Sequence, residues 1–380
     1  MISDLLSEKN KLMNKLKPLL SEHDVEEASR DHHAKRPPRP CGITIHPGIG
    51  CVFECSYCYI YDMGFNTSIK PYPLTGLQLT YALLLNKYFI PGSRGTYLAI
   101  GSITEPFHPL LKEKTLEYID HIYRYLGNPT QFSTKLHIER SLARKLAEIS
   151  KGKISPLITI VTLKMHSMLE PRAPSPEKRF ESMRNLKEAG LKPFLFLRPI
   201  IPGLTEREYK EILELSAENG VVGVVAGSLR VTKTVLHRLR ESGIELNYVL
   251  RRLSTPVDKM KPGVQYNVYT SDIKNEIAKY ARKLGLIFYP SACMANLHTH
   301  GLSCWKMRIL SKQSTNDLPE PEHWEIQGVV EKLGGKLLKT EFRQGVLYLT
   351  VKCRKSGELL ISEILRSKFL SCVKVINQRG

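Results

Sequence analysis

The run Cys51-Val-Phe-Glu-Cys55-Ser-Tyr-Cys58-Tyr59 constrains this chain more than any other stretch, because it gathers three thiols within eight residues on what must be a loop. Thiols so close together ask for a metal. A cubane iron–sulfur cluster takes four cysteine ligands, one per iron, so three from a single loop leave one iron open to an exogenous ligand. The residues ahead fit a strand running into that loop: Ile43 to His46 are extended in type, and Pro47-Gly48-Ile49-Gly50 breaks the strand. Reduced structural thiols, or half of a zinc site, are the plainer alternatives. A zinc knuckle needs a second ligand pair at similar spacing, whereas Cys293 and Cys304 lie far downstream with ten residues between them.

From Gly42 onward, apolar β-type runs at 43–46, 97–101, 131–135, 157–163, 193–199 and 221–229 alternate with helical stretches at 77–89, 112–125, 141–151, 176–189 and 206–218. That alternation predicts an α/β fold with a parallel sheet and right-handed crossovers. In parallel barrels the chemistry sits at the C-terminal ends of the strands, which is where the Cys51 loop falls. The other strand ends carry Ser102, Thr104, Glu105 and His108, then Ser133 to Lys135, then Thr162, then Arg198. Singly, each also reads as a helix cap, a turn residue or a surface group.

CxxxCxxC followed by an aromatic, directly after a first strand, resembles the signature of the radical S-adenosylmethionine (SAM) superfamily. Ser-x-Thr-Glu-Pro after the second strand, Thr-Lys after the third, Glu170-Pro-Arg-Ala-Pro-Ser-Pro-Glu-Lys-Arg179 after the fourth and Arg-Pro-Ile-Ile-Pro-Gly-Leu-Thr from Arg198 resemble its spore photoproduct lyase-like group. The resemblance covers roughly residues 40 to 230. It implies a partial (β/α)6 barrel, a [4Fe-4S] cluster on Cys51, Cys55 and Cys58, and SAM bound to the open iron through its amino and carboxylate groups. By position, the backbone at Tyr57 would meet the adenine, and Ser102 and Thr104 the SAM amino group and ribose. Lys135, Thr162 and Arg198 match polar positions around the carboxylate and ribose. The chemistry implied is reductive cleavage of SAM to methionine and a 5′-deoxyadenosyl radical that abstracts a substrate hydrogen, with an electron donor such as ferredoxin or flavodoxin. The chain departs from spore photoproduct lyases at one position. Where they hold a hydrogen-donating cysteine, near the end of the second strand, this sequence has Ser102, and no cysteine occurs between Cys58 and Cys293. A serine O–H bond is too strong to quench a carbon radical readily, so the resemblance carries cofactor chemistry rather than substrate.

Charge points toward a partner. Lys and Arg number 56 against 37 for Asp and Glu, a net +19, and phosphates repay cation placement by releasing counterions. The reading is therefore a nucleic-acid substrate, either RNA to be modified or damaged DNA. A surface of mixed ion pairs such as Glu206-Arg207-Glu208 is the competing account of the charge. Arg238, Arg240, Arg251 and Arg252 with Lys259 and Lys261 suit a phosphate-binding rim or a solvated face, and Tyr266 and Tyr269 suit base stacking or packing. A radical SAM enzyme acting on a peptide or small molecule is the nearest rival. A non-catalytic nucleic-acid-binding protein with a structural iron–sulfur or zinc site is the rival from another class.

Cys293, His298, His300 and Cys304 fall within twelve residues. They suit zinc, a second cluster, a redox pair or the missing hydrogen donor, which makes Cys293 and Cys304 the catalytic candidates; two ordinary thiols beside surface histidines are the alternative. Residues 1–40 read as a helical arm, broken near Pro18, and a basic Pro-rich loop whose His32-His33 pair binds metal or is simply solvated. Residues 41–310 read as the barrel with an extension, 311–322 as a linker, and 323–380 as a small α+β domain that docks on the barrel and grips substrate. No apolar run is long enough to span a bilayer, the start lacks a cleavable apolar core, and eight cysteines without a disulfide framework fit a reducing cytoplasm.

Overall fold

A computed structural model describes residues 2–39, 41–311, 318–354 and 357–378. Helices α1 (Ile2–Leu16) and α2 (Glu22–Arg30) open the chain, separated by a 3-10 turn at Lys17–Leu19 where Pro18 ends the first helix. Ser21 and Asp24 close a reciprocal capping box on α2. Seven strands then build one parallel sheet, hydrogen-bonded in chain order: β1 (Gly42–Ile45), β2 (Tyr97–Ile100), β3 (Thr130–Thr134), β4 (Ser155–Thr159), β5 (Phe194–Ile200), β6 (Gly223–Ser228) and β7 (Ile287–Tyr289). The crossovers up to β6 carry α3 (Gly76–Leu85), α4 (Lys112–His121), α5 (Arg140–Ile149), α6 (Pro176–Glu188) and α7 (Thr205–Glu218).

The expected strands and helices are all present, with two differences. The sheet has seven strands, not six, because β7 is only three residues long, too short to show a period of its own. β4 ends at Thr159, short of Leu163, since Thr162 turns away to hydrogen-bond Glu208.

The two faces of the sheet bury different partners. Ile43, Leu98, Phe132, Ile158, Leu195 and Val224 pack outward against the helices, for example on Leu83, Ile119, Leu146, Met183 and Ile212. Each such fully buried side chain contributes about 1.5–3 kcal/mol. Inward, Tyr97, Leu157, Phe194, Val225 and Tyr289 enclose Met294, Ala295 and Leu297. Those three belong to the helix that follows β7. The β6–β7 connection carries α8 (Lys233–Glu241) and α9 (Ser271–Lys283), and α10 (Ala292–Thr299) then runs beneath the sheet. Asn296 donates to the Pro129 carbonyl at 3.1 Å, Thr299 lies 3.2 Å from the Ser155 hydroxyl, and His300 Nε2 accepts from the Thr130 N–H at 3.4 Å. All three partners stand at strand beginnings, so α10 plugs the N-terminal end of the barrel.

Past α11 (Trp305–Ser311) and α12 (His323–Lys332) comes a three-stranded sheet of β8 (Lys336–Arg343), β9 (Val346–Lys352) and β10 (Cys372–Asn377), with α13 (Gly357–Phe369) before its last strand. β8 and β9 are antiparallel, β9 and β10 parallel. This unit has its own core of Ile326, Val330, Leu347, Leu349, Ile364 and Phe369, which also takes in Ile90. It docks on the barrel where Arg366 lies 4.7 Å over the Tyr97 ring and Arg94 donates to the Lys368 carbonyl at 3.1 Å. Tyr97 begins β2, so the unit sits at the end of the sheet away from the Cys51 loop and is not positioned to grip a substrate there. Of the expected linker, residues 312–317 lie outside the described residues, while Leu318 is buried against Trp305. Among the described residues no helix is long and apolar enough to cross a membrane.

Candidate metal and cofactor site

The cysteine loop leaves β1 through a backbone that only glycine suits. Gly50 has φ +90°, and a Cβ there would fall 2.1 Å from the Ser68 carbonyl oxygen and 2.9 Å from that of Asn66. The next residue, Cys51, donates its N–H to the same Asn66 carbonyl at 3.3 Å. Tyr61 then clamps the loop, its hydroxyl donating to the Cys51 carbonyl at 3.0 Å and accepting from the Glu54 N–H at 3.1 Å. From α8, Arg238 reaches across to the Ser56 and Cys58 carbonyls, and Ser56 N–H bonds the Leu169 carbonyl at 2.9 Å. The loop is therefore held by side chains and backbone from three other segments. Replacing Gly50 by alanine is expected to destabilise the fold by about 1–3 kcal/mol and lower the iron content of reconstituted protein. Urea unfolding and iron analysis check it, and a stability change below about 0.5 kcal/mol would count against this account of the loop.

Burial shapes the thiols. It pushes Cys51 to about 11 and Cys55 to about 12, and raises Cys58 as well. As free thiols all three stay protonated near neutral pH, and a bound cation is what makes thiolates favourable there. The three sulfurs are not a group whose donor atoms all lie within 4.8 Å of one another, as a mononuclear zinc shell requires. They instead surround one cavity together with Ser102, Thr104 and Lys135. Lys135 is the cavity's cation. Burial opposes its charge, but Cys55 and Glu170 outweigh burial and raise its pKa. Its ammonium lies 3.9 Å from Glu170 and 5.5 Å over the Tyr57 ring. Three soft sulfur donors, a wide spacing and one compensating cation fit an iron–sulfur cluster.

Most of the polar residues expected at the strand ends converge here. Thr104 is buried, and its hydroxyl has no hydrogen-bond partner, an orphan that a ligand in the cavity would satisfy. Ser102 is exposed at the mouth, and Gly101 before it, at φ +93°, leaves no room for a Cβ beside the Ser133 carbonyl at 2.4 Å. An adjoining cavity continues from Ser102 and Lys135 to Phe196, Arg198, Ser228 and Arg230. The Tyr57 ring lies under Lys135 and its hydroxyl donates to Glu170. Thr162 is not among them: it bonds Glu208 and the Met165 N–H behind the cavity, and Thr159 lines the cavity in its place.

Three functional side chains went without a role in the sequence reading. Glu105 is fully buried and accepts from the Thr134 hydroxyl and, at 3.0 Å, from the Lys135 N–H, tying the end of β2 to that of β3. Burial raises its pKa despite those bonds. Glu170 and Arg179, both without exposed side-chain surface, form an ion pair against Tyr57, and Arg179 also donates to the Thr159 carbonyl at 3.1 Å. Their motif, Glu170 to Arg179, was visible in the sequence, but nothing in it shows that the chain folds Glu170 back under Cys55.

Cys293 and Cys304 do not reach this mouth. Cys293 sits at the start of α10, hydrogen-bonded to Ser291 and to Cys41, which precedes β1. Cys304 packs beside it under the barrel floor. His298 and His300 turn to Tyr289 and Tyr123 instead of the thiols, so no common site forms. Of the arginine cluster, Arg238 points inward, Arg252 is held by Asp272 through two bonds of 2.7 and 2.8 Å, and Arg240 and Arg251 are exposed. Tyr266 bonds the Lys261 N–H, whereas Tyr269 is 62% exposed and free to stack.

Comparison with known proteins agrees with this geometry. Residues 45–216 match the family model of the radical SAM superfamily. An uncharacterized protein of Methanocaldococcus jannaschii is 28% identical over 190 residues, 46% of this chain and 69% of that protein. An uncharacterized protein of Acidianus two-tailed virus is 24% identical over 228 residues, 55% of this chain and 70% of its own. A spore photoproduct lyase double mutant with bound AdoMet and dinucleoside spore photoproduct superposes with TM-score 0.55 at 19% identity, over 68% of this chain and 79% of that chain. A single mutant of the same lyase gives TM-score 0.54 over 67% and 78%. At such identity the structural likeness establishes the fold.

Proposed function

Residues 45–216 are a radical SAM domain, which makes the chain an enzyme of that type, and from that premise we propose that it cleaves SAM to act on a nucleic acid. The observation that carries this reading is the convergence of Cys51, Cys55, Cys58, Thr104, Lys135 and Arg198 on adjoining cavities at one end of the sheet. When bound, a [4Fe-4S] cluster with SAM supplies one electron and, from it, a 5′-deoxyadenosyl radical. The chain's own part is to bind and orient. The three thiols hold the iron, Lys135 balances their negative charge, and Arg198 and the Thr104 hydroxyl receive polar groups of SAM. Glu105 fixes the geometry by joining two strand ends. α10 closes the barrel below and keeps water from that side.

The nucleic-acid part rests on the mouth and on the charge. Arg198 and Arg230 line the outer cavity, Tyr269 is exposed nearby on the segment after the Arg230 ladder, and the net charge is +19. The spore photoproduct lyase neighbour is itself bound to a dinucleoside. Ser102 at the mouth leaves no thiol of this chain to return a hydrogen atom, so we place the reaction outside lesion reversal of the spore photoproduct type. Eight free thiols fit a cytoplasmic enzyme served by ferredoxin or flavodoxin.

Fluorescence anisotropy with RNA and DNA oligonucleotides across a salt series tests the substrate class. Affinity is expected to fall steeply with salt, Arg230→Ala to lower the slope of log K against log salt by about 1, and Tyr269→Ala to cost about 1–3 kcal/mol. Binding that ignores salt and both substitutions would point to a peptide or small-molecule substrate.

A further inference from the structure

Away from the cysteine cavity, three histidines stand where a loop expected to be solvated is in fact packed. His32 and His33 form the 3-10 turn after α2, and His46 follows β1. His33 has no exposed surface and His46 keeps 6%. One donor nitrogen of each ring lies within 4.8 Å of one from each of the others, and the ring centroids are 4.0, 5.6 and 5.7 Å apart.

Each ring is engaged on one nitrogen and open on the other. His33 Nδ1 is 2.7 Å from Asp31, His32 Nδ1 is 2.8 Å from the Tyr72 hydroxyl, and His46 Nε2 is 3.3 Å from both Thr44 and Arg36. The opposite nitrogens of the two buried rings, His33 Nε2 and His46 Nδ1, have no hydrogen-bond partner. Two orphan nitrogens in one buried cluster are costly unless something binds them. A carboxylate on the far nitrogen, as Asp31 provides for His33, is the arrangement that orients metal-binding imidazoles.

We propose that His32, His33 and His46 bind one divalent transition-metal ion of the zinc class, through His33 Nε2, His46 Nδ1 and the open nitrogen of His32. Imidazole donors select such ions, and three protein ligands leave a fourth position, which here faces solvent beside the partly exposed His32. The nearby Arg36 guanidinium weakens the site and Asp31 offsets it. The ion would cross-link the N-terminal arm to the end of β1, five residues before Cys51. This site is independent of the proposed reaction.

The test uses cluster-loaded full-length protein, stripped of loose metal and given zinc. Competition with a colorimetric chelator reads affinity, and zinc-edge X-ray absorption reads the ligands. One zinc per chain in a nitrogen and oxygen shell at about 2.0–2.1 Å is expected, with His32→Gln and His46→Gln each weakening binding at least about tenfold while iron content stays. A sulfur shell at about 2.3 Å, or no stoichiometric zinc, would overturn the proposal. Should His46→Gln fail to fold, the half-exposed His32 decides alone: unchanged affinity in His32→Gln also overturns it.

Discussion

Changing Cys51, Cys55 and Cys58 together to alanine is expected to bring iron content and 5′-deoxyadenosine formation to background. The parent protein, reconstituted without oxygen with iron and sulfide and given dithionite and SAM, is expected to release the nucleoside. The reason is local. Burial holds all three thiols above their ordinary pKa, so a bound cation favours their charged form, and Lys135, beside Glu170, also faces that charge. The variant should keep its fold, because the loop is held by Tyr61, Arg238 and Ser56 rather than by the sulfurs. A parent with a full, reducible cluster and no nucleoside would refute the enzymatic reading and favour a structural cluster in a binding protein.

Arg179→Met is the substitution expected to cost most in stability, about 3–5 kcal/mol, because it leaves the Glu170 carboxylate buried beside Tyr57 with only Lys135, 3.9 Å away, to offset it. Changing both partners, Arg179→Met with Glu170→Gln, should restore most of the loss, since the cost lies in the orphaned charge rather than in the pair. Urea denaturation of the two single variants and the double closes the cycle. A single variant within about 1 kcal/mol of the parent would show that water reaches Glu170.

What the sequence disclosed follows from how far each signal reaches. The strands of the sheet announced themselves because residues buried on both faces are mostly apolar, as in the Gly223–Ala226 part of β6, where every residue is buried. The cysteine loop was legible because all three ligands share one segment. Glu170, Arg179 and Glu105 were not, because their roles depend on which distant backbone they fold against. The same limit misplaced Cys293 and Cys304: their spacing looked like a site, yet α10 carries them to the floor. Thr162 lost its expected place to Thr159 through three residues of turn. His33 shows the reverse error, a polar residue in a basic loop that the fold nonetheless buries.

The helix under the sheet also governs traffic. Because α10 covers the strand beginnings, the cysteine loop is approached from the strand ends and not through that floor. On the proposed function, SAM would sit deepest, against the cysteine loop, and would therefore bind before the substrate that covers it. Initial-rate inhibition by a dead-end analogue of the substrate should then be uncompetitive toward SAM and competitive toward substrate, and noncompetitive inhibition toward SAM would mean random order.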